Sequence, residues 1–101
     1  MSPPAAAAQP EPLVLRLTGE IDLFNIGEVQ AELSEALQHS SPTTLVIDLT
    51  KVRFIDLTAL RVLATASRRF TDVVVLNPSP LVVRVLDLGR LSHLVRTVYD
   101  R

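Results

Sequence analysis

The chain has 101 residues, 48% of them hydrophobic and 21% charged, with a formal net charge of −1 and no cysteine. That is enough for one domain with a buried core and too little for two. The near-neutral balance argues against nucleic acid as the main partner, because phosphate binding normally shows a basic excess. The lack of cysteine removes disulfides and thiolate metal sites and fits a cytoplasmic protein.

Residues 1–12, MSPPAAAAQPEP, are rich in proline and alanine and read as a disordered tail. They have neither the basic start nor the long apolar run of a signal peptide. The longest apolar stretches elsewhere are about strand length, so direct membrane insertion is not expected. From Leu13 the pattern becomes regular. LVLRLTG (13–19) is apolar with an outward Arg16 and reads as a strand. Asn25 opens a helix, with Glu28 three residues on at capping-box spacing. Ile26, Val29, Leu33, Ala36 and Leu37 form its buried face, opposite Glu28, Glu32 and Glu35.

The HSSPTT segment (39–44) is a loop, followed by a short strand, TLVIDL (44–49). A brief TKVRF connection leads to a strand end at Phe54 and Ile55. Asp56 precedes a second helix, LTALRVLATASRR, with Leu60, Leu63, Ala64 and Ser67 along one side. DVVVLN (72–77) is a buried strand by its β-branched content. Ser79-Pro80 is a helix start, a cap residue followed by proline at the first helical position. That helix stops at Gly89, expected as a left-handed terminator. Residues 91–94 add a turn, and VRTVY (95–99) is the last strand. Strands alternating with helices imply crossover connections and a largely parallel sheet.

Asp22, Asp48 and Asp56 fall at or near strand ends, where ligand sites of open α/β sheets cluster. A Mg²⁺ site of the receiver-domain kind is disfavoured. It wants adjacent acids after the first strand and a lysine near the last, and the one lysine is Lys51. The plain reading of Asp56 is a helix cap, worth about 1 kcal/mol. His39 and His93 are isolated. With three glycines in all there is no phosphate-binding loop, and no serine sits in a nucleophile elbow. No enzyme, cofactor or metal site is expected from these residues. The PLVVRVLDL helix is apolar on most sides, as a short helix trapped between sheet and loop would be.

Taken in order, LTGEID, an amphipathic helix, LVIDLTKVRFIDLTALRVL and VVVLNPSPLVVRVLDLGRLSHLV resemble the STAS domain of the anti-sigma factor antagonist family. The resemblance covers about residues 13–99 and places the domain at 13–101. It implies an α/β fold with a four- to five-stranded mixed sheet and three main helices plus a short one. It also implies a partner, an anti-sigma factor that is a histidine-kinase-like ATPase and serine kinase, whose capture frees a sigma factor. In that family the kinase phosphorylates a serine directly after the junction aspartate.

Here Asp56 matches that aspartate and Asp22 the acid in the loop after the first long strand. The acceptor position is Leu57, which has no hydroxyl, the next is Thr58, and the usual glycine is Ala59. The implied partner-binding residues are Asp22, Asn25, Asp56, Leu57 and Thr58. Three readings of Leu57 follow. The antagonist is insensitive to phosphorylation there; or Thr58 is the phosphosite instead; or the fold is kept as another protein-binding module, such as an accessory subunit of a transport complex. AAAAQPEP is a poor match to the short first strand of many relatives.

Overall fold

Alternation of strand and helix builds one sheet from four strands. The computed structural model describes residues 11–100. In chain order these form β1 (Leu13–Ile21), α1 (Ile26–Leu37), β2 (Thr44–Ile55), α2 (Leu57–Ala66), β3 (Asp72–Leu76), α3 (Pro80–Leu88) and β4 (Arg96–Val98). Short 3₁₀ turns lie at Ser67–Arg69 and Ser92–Leu94. Of the expected tail, only Glu11 and Pro12 are described; both are exposed and outside any regular element.

The sheet order follows the chain, β1-β2-β3-β4. Each of the three pairings is parallel. The expectation of a mixed sheet is therefore corrected for the described strands, each of which returns through a crossover. The fifth strand would fall among residues 1–10, outside the described ones. Right-handed crossovers repeated in one direction set α1, α2 and α3 on the same face. There Leu15, Leu45, Ile47 and Val75 of the sheet meet Val29 and Leu33 of α1, Leu63 of α2, and Val82 and Leu86 of α3. Leu45, Ile55 and Val82 are fully buried, each such side chain contributing about 1.5–3 kcal/mol.

Strand β2 is one continuous element of 12 residues rather than two pieces with a connection. Its buried residues Leu45, Ile47 and Leu49 alternate, but the next are Val52 and Ile55, each three positions on. The register against β1 gives the cause. Arg16 and Thr18 pair with Asp48 and Lys51, and Gly19 and Glu20 pair with Val52 and Phe54. At each point β2 carries one extra residue, a bulge that reverses which face the following side chains take. Gly19, beside the second bulge, has φ +78° with nothing near its missing Cβ, so glycine serves backbone conformation there.

Both expected helix starts after Asp56 and Ser79 hold. Asp56 accepts from the Ala59 N–H at 2.7 Å. Ser79 Oγ accepts from the Val82 N–H at 3.2 Å, with Pro80 at the first helical position. Two end signals are corrected. Asn25 makes no side-chain cap to α1, because its amide is turned back toward β1. Gly89 is not left-handed: its φ is −83°, and the left-handed residue is Arg90 at φ 57°.

Candidate functional site

The β1–α1 loop is a closed network. Asp22 Oδ1 accepts from the N–H groups of Phe24 (2.9 Å) and Asn25 (3.1 Å). The Asp22 carbonyl accepts from the Ile26 N–H at 2.9 Å. In return, Asn25 Oδ1 accepts from the Asp22 N–H at 2.9 Å, and its Nδ2 donates to the Glu20 carbonyl at 2.9 Å. Asp22, three residues ahead of Asn25, thus does the work of ordering the turn into α1, as short acids do through Asx-turns.

Asp56 ties this loop to the next helix. Its Oδ1 caps α2, while its Oδ2 accepts from the Leu23 N–H at 3.3 Å. Its own N–H donates to the Ile21 carbonyl at 3.0 Å. One carboxylate therefore serves two chain segments 33 residues apart. Held in this way, the loop presents Leu23 and Phe24 to solvent, with Phe24 94% exposed. Neither was picked out from the sequence. The available signal was two consecutive large apolar residues inside a turn that has no room for them in the core.

Leu57 follows Asp56 and is 36% exposed. Its buried part is directed at the end of α3, since a Cβ built on Gly89 would come within 2.5 Å of Leu57 Cδ1. The glycine that ends α3 is there for close approach, and leucine 57 occupies the space it leaves. Leu88, next to that glycine, is also largely exposed. Thr58 is turned another way. With Gln30, Arg61, Val62, Thr65 and Ala66 it lines a groove of about 510 Å³ between α1 and α2. The two neighbours diverge because one helical residue rotates the side chain by about 100°.

The structure thus brings Asp22, Asn25, Asp56 and Leu57 onto adjoining loop and helix ends, with Thr58 on the flank. Asp48 lies apart. It accepts from the backbone N–H (2.9 Å) and hydroxyl of Thr50 and lines a cleft with Arg16, Lys51, Asn77 and Asp100. The three acids do not converge, and among the described residues no group of three or more His, Cys, Asp or Glu could hold a metal ion. His39 and His93 are exposed. Asp72 and Arg96 form an exposed ion pair between β3 and β4 at 2.7 Å. The hydrogen bond from Arg96 holds the Asp72 carboxyl below its usual range. No described helix is long and apolar enough to cross a membrane.

A parallel α/β sheet covered by three helices, offering a tied, partly apolar loop surface at one end, defines the class of this molecule. Within that class, the chain belongs to the STAS domain family, whose model matches residues 3–101. It is 28% identical over 86 residues to an anti-sigma F factor antagonist of Lysinibacillus sphaericus, covering 81% of this chain and 74% of that one. It is 27% identical over 92 residues to that of Paenibacillus polymyxa, covering 87% and 78%. The fold is that of the anti-sigma factor antagonist SpoIIAA in its unphosphorylated form, with TM-score 0.74, 24% identity and coverage of 89% and 82%. The phosphorylated form of SpoIIAA from Bacillus matches with TM-score 0.65, 23% identity and coverage of 89% and 85%.

Proposed function

We propose that this chain is an anti-sigma factor antagonist. It binds an ATP-binding anti-sigma factor with serine kinase activity through the β1–α1 loop and the start of α2, and so frees a sigma factor. The observation that carries the reading is the Asp56 carboxylate, which fixes the loop bearing Leu23 and Phe24 beside Leu57 and leaves apolar side chains exposed on a rigid frame. The names of the two curated relatives support it. The chain acts by binding in the cytoplasm and needs no cofactor of its own.

Leu57 takes the position at which the family resemblance puts the phosphoacceptor. It offers no hydroxyl and is engaged with Gly89. Thr58 faces the α1–α2 groove, so it is an acceptor only for a kinase that approaches from that side. The chain therefore keeps its partner whether the partner holds ADP or ATP.

Affinity capture from native lysate tests this, with wild type and Leu57→Ser, in ADP and then in ATP. An ATPase-type anti-sigma factor is expected on the wild type in both nucleotides, and on Leu57→Ser in ADP alone. Capture of transporter subunits, or of no such ATPase, refutes the reading.

A further inference from the structure

The groove that Thr58 enters does not stop there. A second hollow of about 400 Å³ shares Gln30, Thr65 and Ala66 with it and adds Ser34, Arg68 and Arg69. A third, of about 290 Å³, shares Arg69 and reaches the α1–β2 loop at Ser40 and Ser41. The first two form one trough along the α1–α2 seam, and the third lies at its end, beyond Arg69. Its charges are Arg61, Arg68 and Arg69, and no acidic residue lines any part of it. The glutamates of α1 lie outside the lining. Among the described residues none of the three arginines has an ion-pair partner; the ion pair present is that of Arg96 with Asp72. A chain of net charge −1 thus gathers three uncompensated positive charges along one seam.

We propose that this trough is a second docking site, adjoining the Asp56 surface at Thr58 and running away from it along the α1–α2 seam, for an acidic extended segment of a partner protein. The dimensions favour such a segment. Thr58 to Arg69 spans about 16 Å at the helical rise, the length of about five extended residues. Arginines at the edges supply forked donors for carboxylates. Gln30, Ser34 and Thr65 offer hydrogen bonds to a main chain, and Val62 and Ala66 give an apolar floor. Three cations in a lining that has no exposed aromatic ring to stack a base suit a peptide better than a nucleic acid strand. The site does not depend on the identity of the partner at Asp56.

The test is a titration of the full chain, ¹⁵N-labelled, with an acetylated Glu-Ser-Glu-Ser-Glu-Ser-Glu peptide at about 20 mM salt, where screening is weak. Amide shifts are expected at Gln30, Ser34, Thr58, Arg61, Thr65, Arg68 and Arg69. The triple variant Arg61→Gln, Arg68→Gln, Arg69→Gln should bind about tenfold more weakly, the loss of three exposed ion pairs together. Arg84→Gln with Arg90→Gln, outside the trough, should bind as the wild type does. All five arginines are exposed, so both variants should keep the wild-type melting temperature. The proposal is overturned by shifts spread over every arginine, by equal weakening in the two variants, or by no shifts. Tighter binding of a charge-matched oligothymidylate at the same residues also overturns it.

Discussion

Gly89→Ala isolates the contact that gives Leu57 its place. In a helical conformation such as φ −83°, replacing glycine by alanine ordinarily stabilises by about 0.4–1 kcal/mol through the unfolded chain. Here the new methyl would sit 2.5 Å from Leu57 Cδ1 and 3.3 Å from the Val85 carbonyl oxygen. The leucine end is free to swing outward, so the clash costs no more than the burial Leu57 then loses. With Leu57 36% exposed, about two-thirds of a leucine's 1.5–3 kcal/mol is at stake, or about 1–2 kcal/mol. The net expectation is a loss of about 0.5–1 kcal/mol in the wild type. In a Leu57→Ala background the methyl is left with the Val85 carbonyl oxygen at 3.3 Å and an ordinary contact to Leu91 Cδ1 at 3.4 Å, and the same change should gain about 0.5 kcal/mol. Urea unfolding of the four proteins gives the coupling, expected at about 1–1.5 kcal/mol, above the usual error of additivity. Gly89→Ala that stabilises the wild type, or costs the same in both backgrounds, refutes the interlock.

Asp56→Ala should cost about 1–2 kcal/mol by removing the α2 cap and the Leu23 acceptor together, with Asp56→Asn milder because one oxygen remains; chemical denaturation measures both. Phe24→Ala should leave the melting temperature unchanged yet weaken anti-sigma factor capture at least about tenfold, as hot-spot aromatics do. Leu45→Ala, at a fully buried site, should cost about 2–5 kcal/mol in the same unfolding assay. Asp72→Asn should lower stability at neutral pH. The Asp72 carboxyl is held below its usual value by Arg96, so the ion pair's contribution is present above the ordinary carboxylate range and is lost as pH falls below it. Wild type and variant should therefore converge in acid, as pH-dependent melting curves would show.

Where a structural signal is local, the sequence carries it plainly. Ser79-Pro80 and Asp56 announce their helices because a cap and its N–H lie three residues apart. Asn25 has the right residue type and spacing, but its side chain is taken up by the Asp22 N–H and the Glu20 carbonyl. Strand β2 breaks at Thr50 on paper because its alternation reverses at each bulge, and bulges are a property of the pairing with β1. The purpose of Gly89 depends on Leu57, 32 positions earlier, and no window of sequence holds both. Of the candidate site, the acids were legible by position; the exposure of Leu23 and Phe24 follows from a network that exists only when β1 and β2 lie side by side.

The two bulges of β2 also restrict how this chain can change length. Leu45 and Ile55, near opposite ends of the strand, face the same core. Deleting one extra residue would turn Ile55 toward water and carry Asp56 away from the loop it holds. Deleting both would restore the facing and shorten the strand by a register step that β1 could match without its left-handed glycine. Insertions and deletions in this segment should therefore arise in pairs among functional descendants, and Gly19 should be replaceable only in chains that have lost the second bulge.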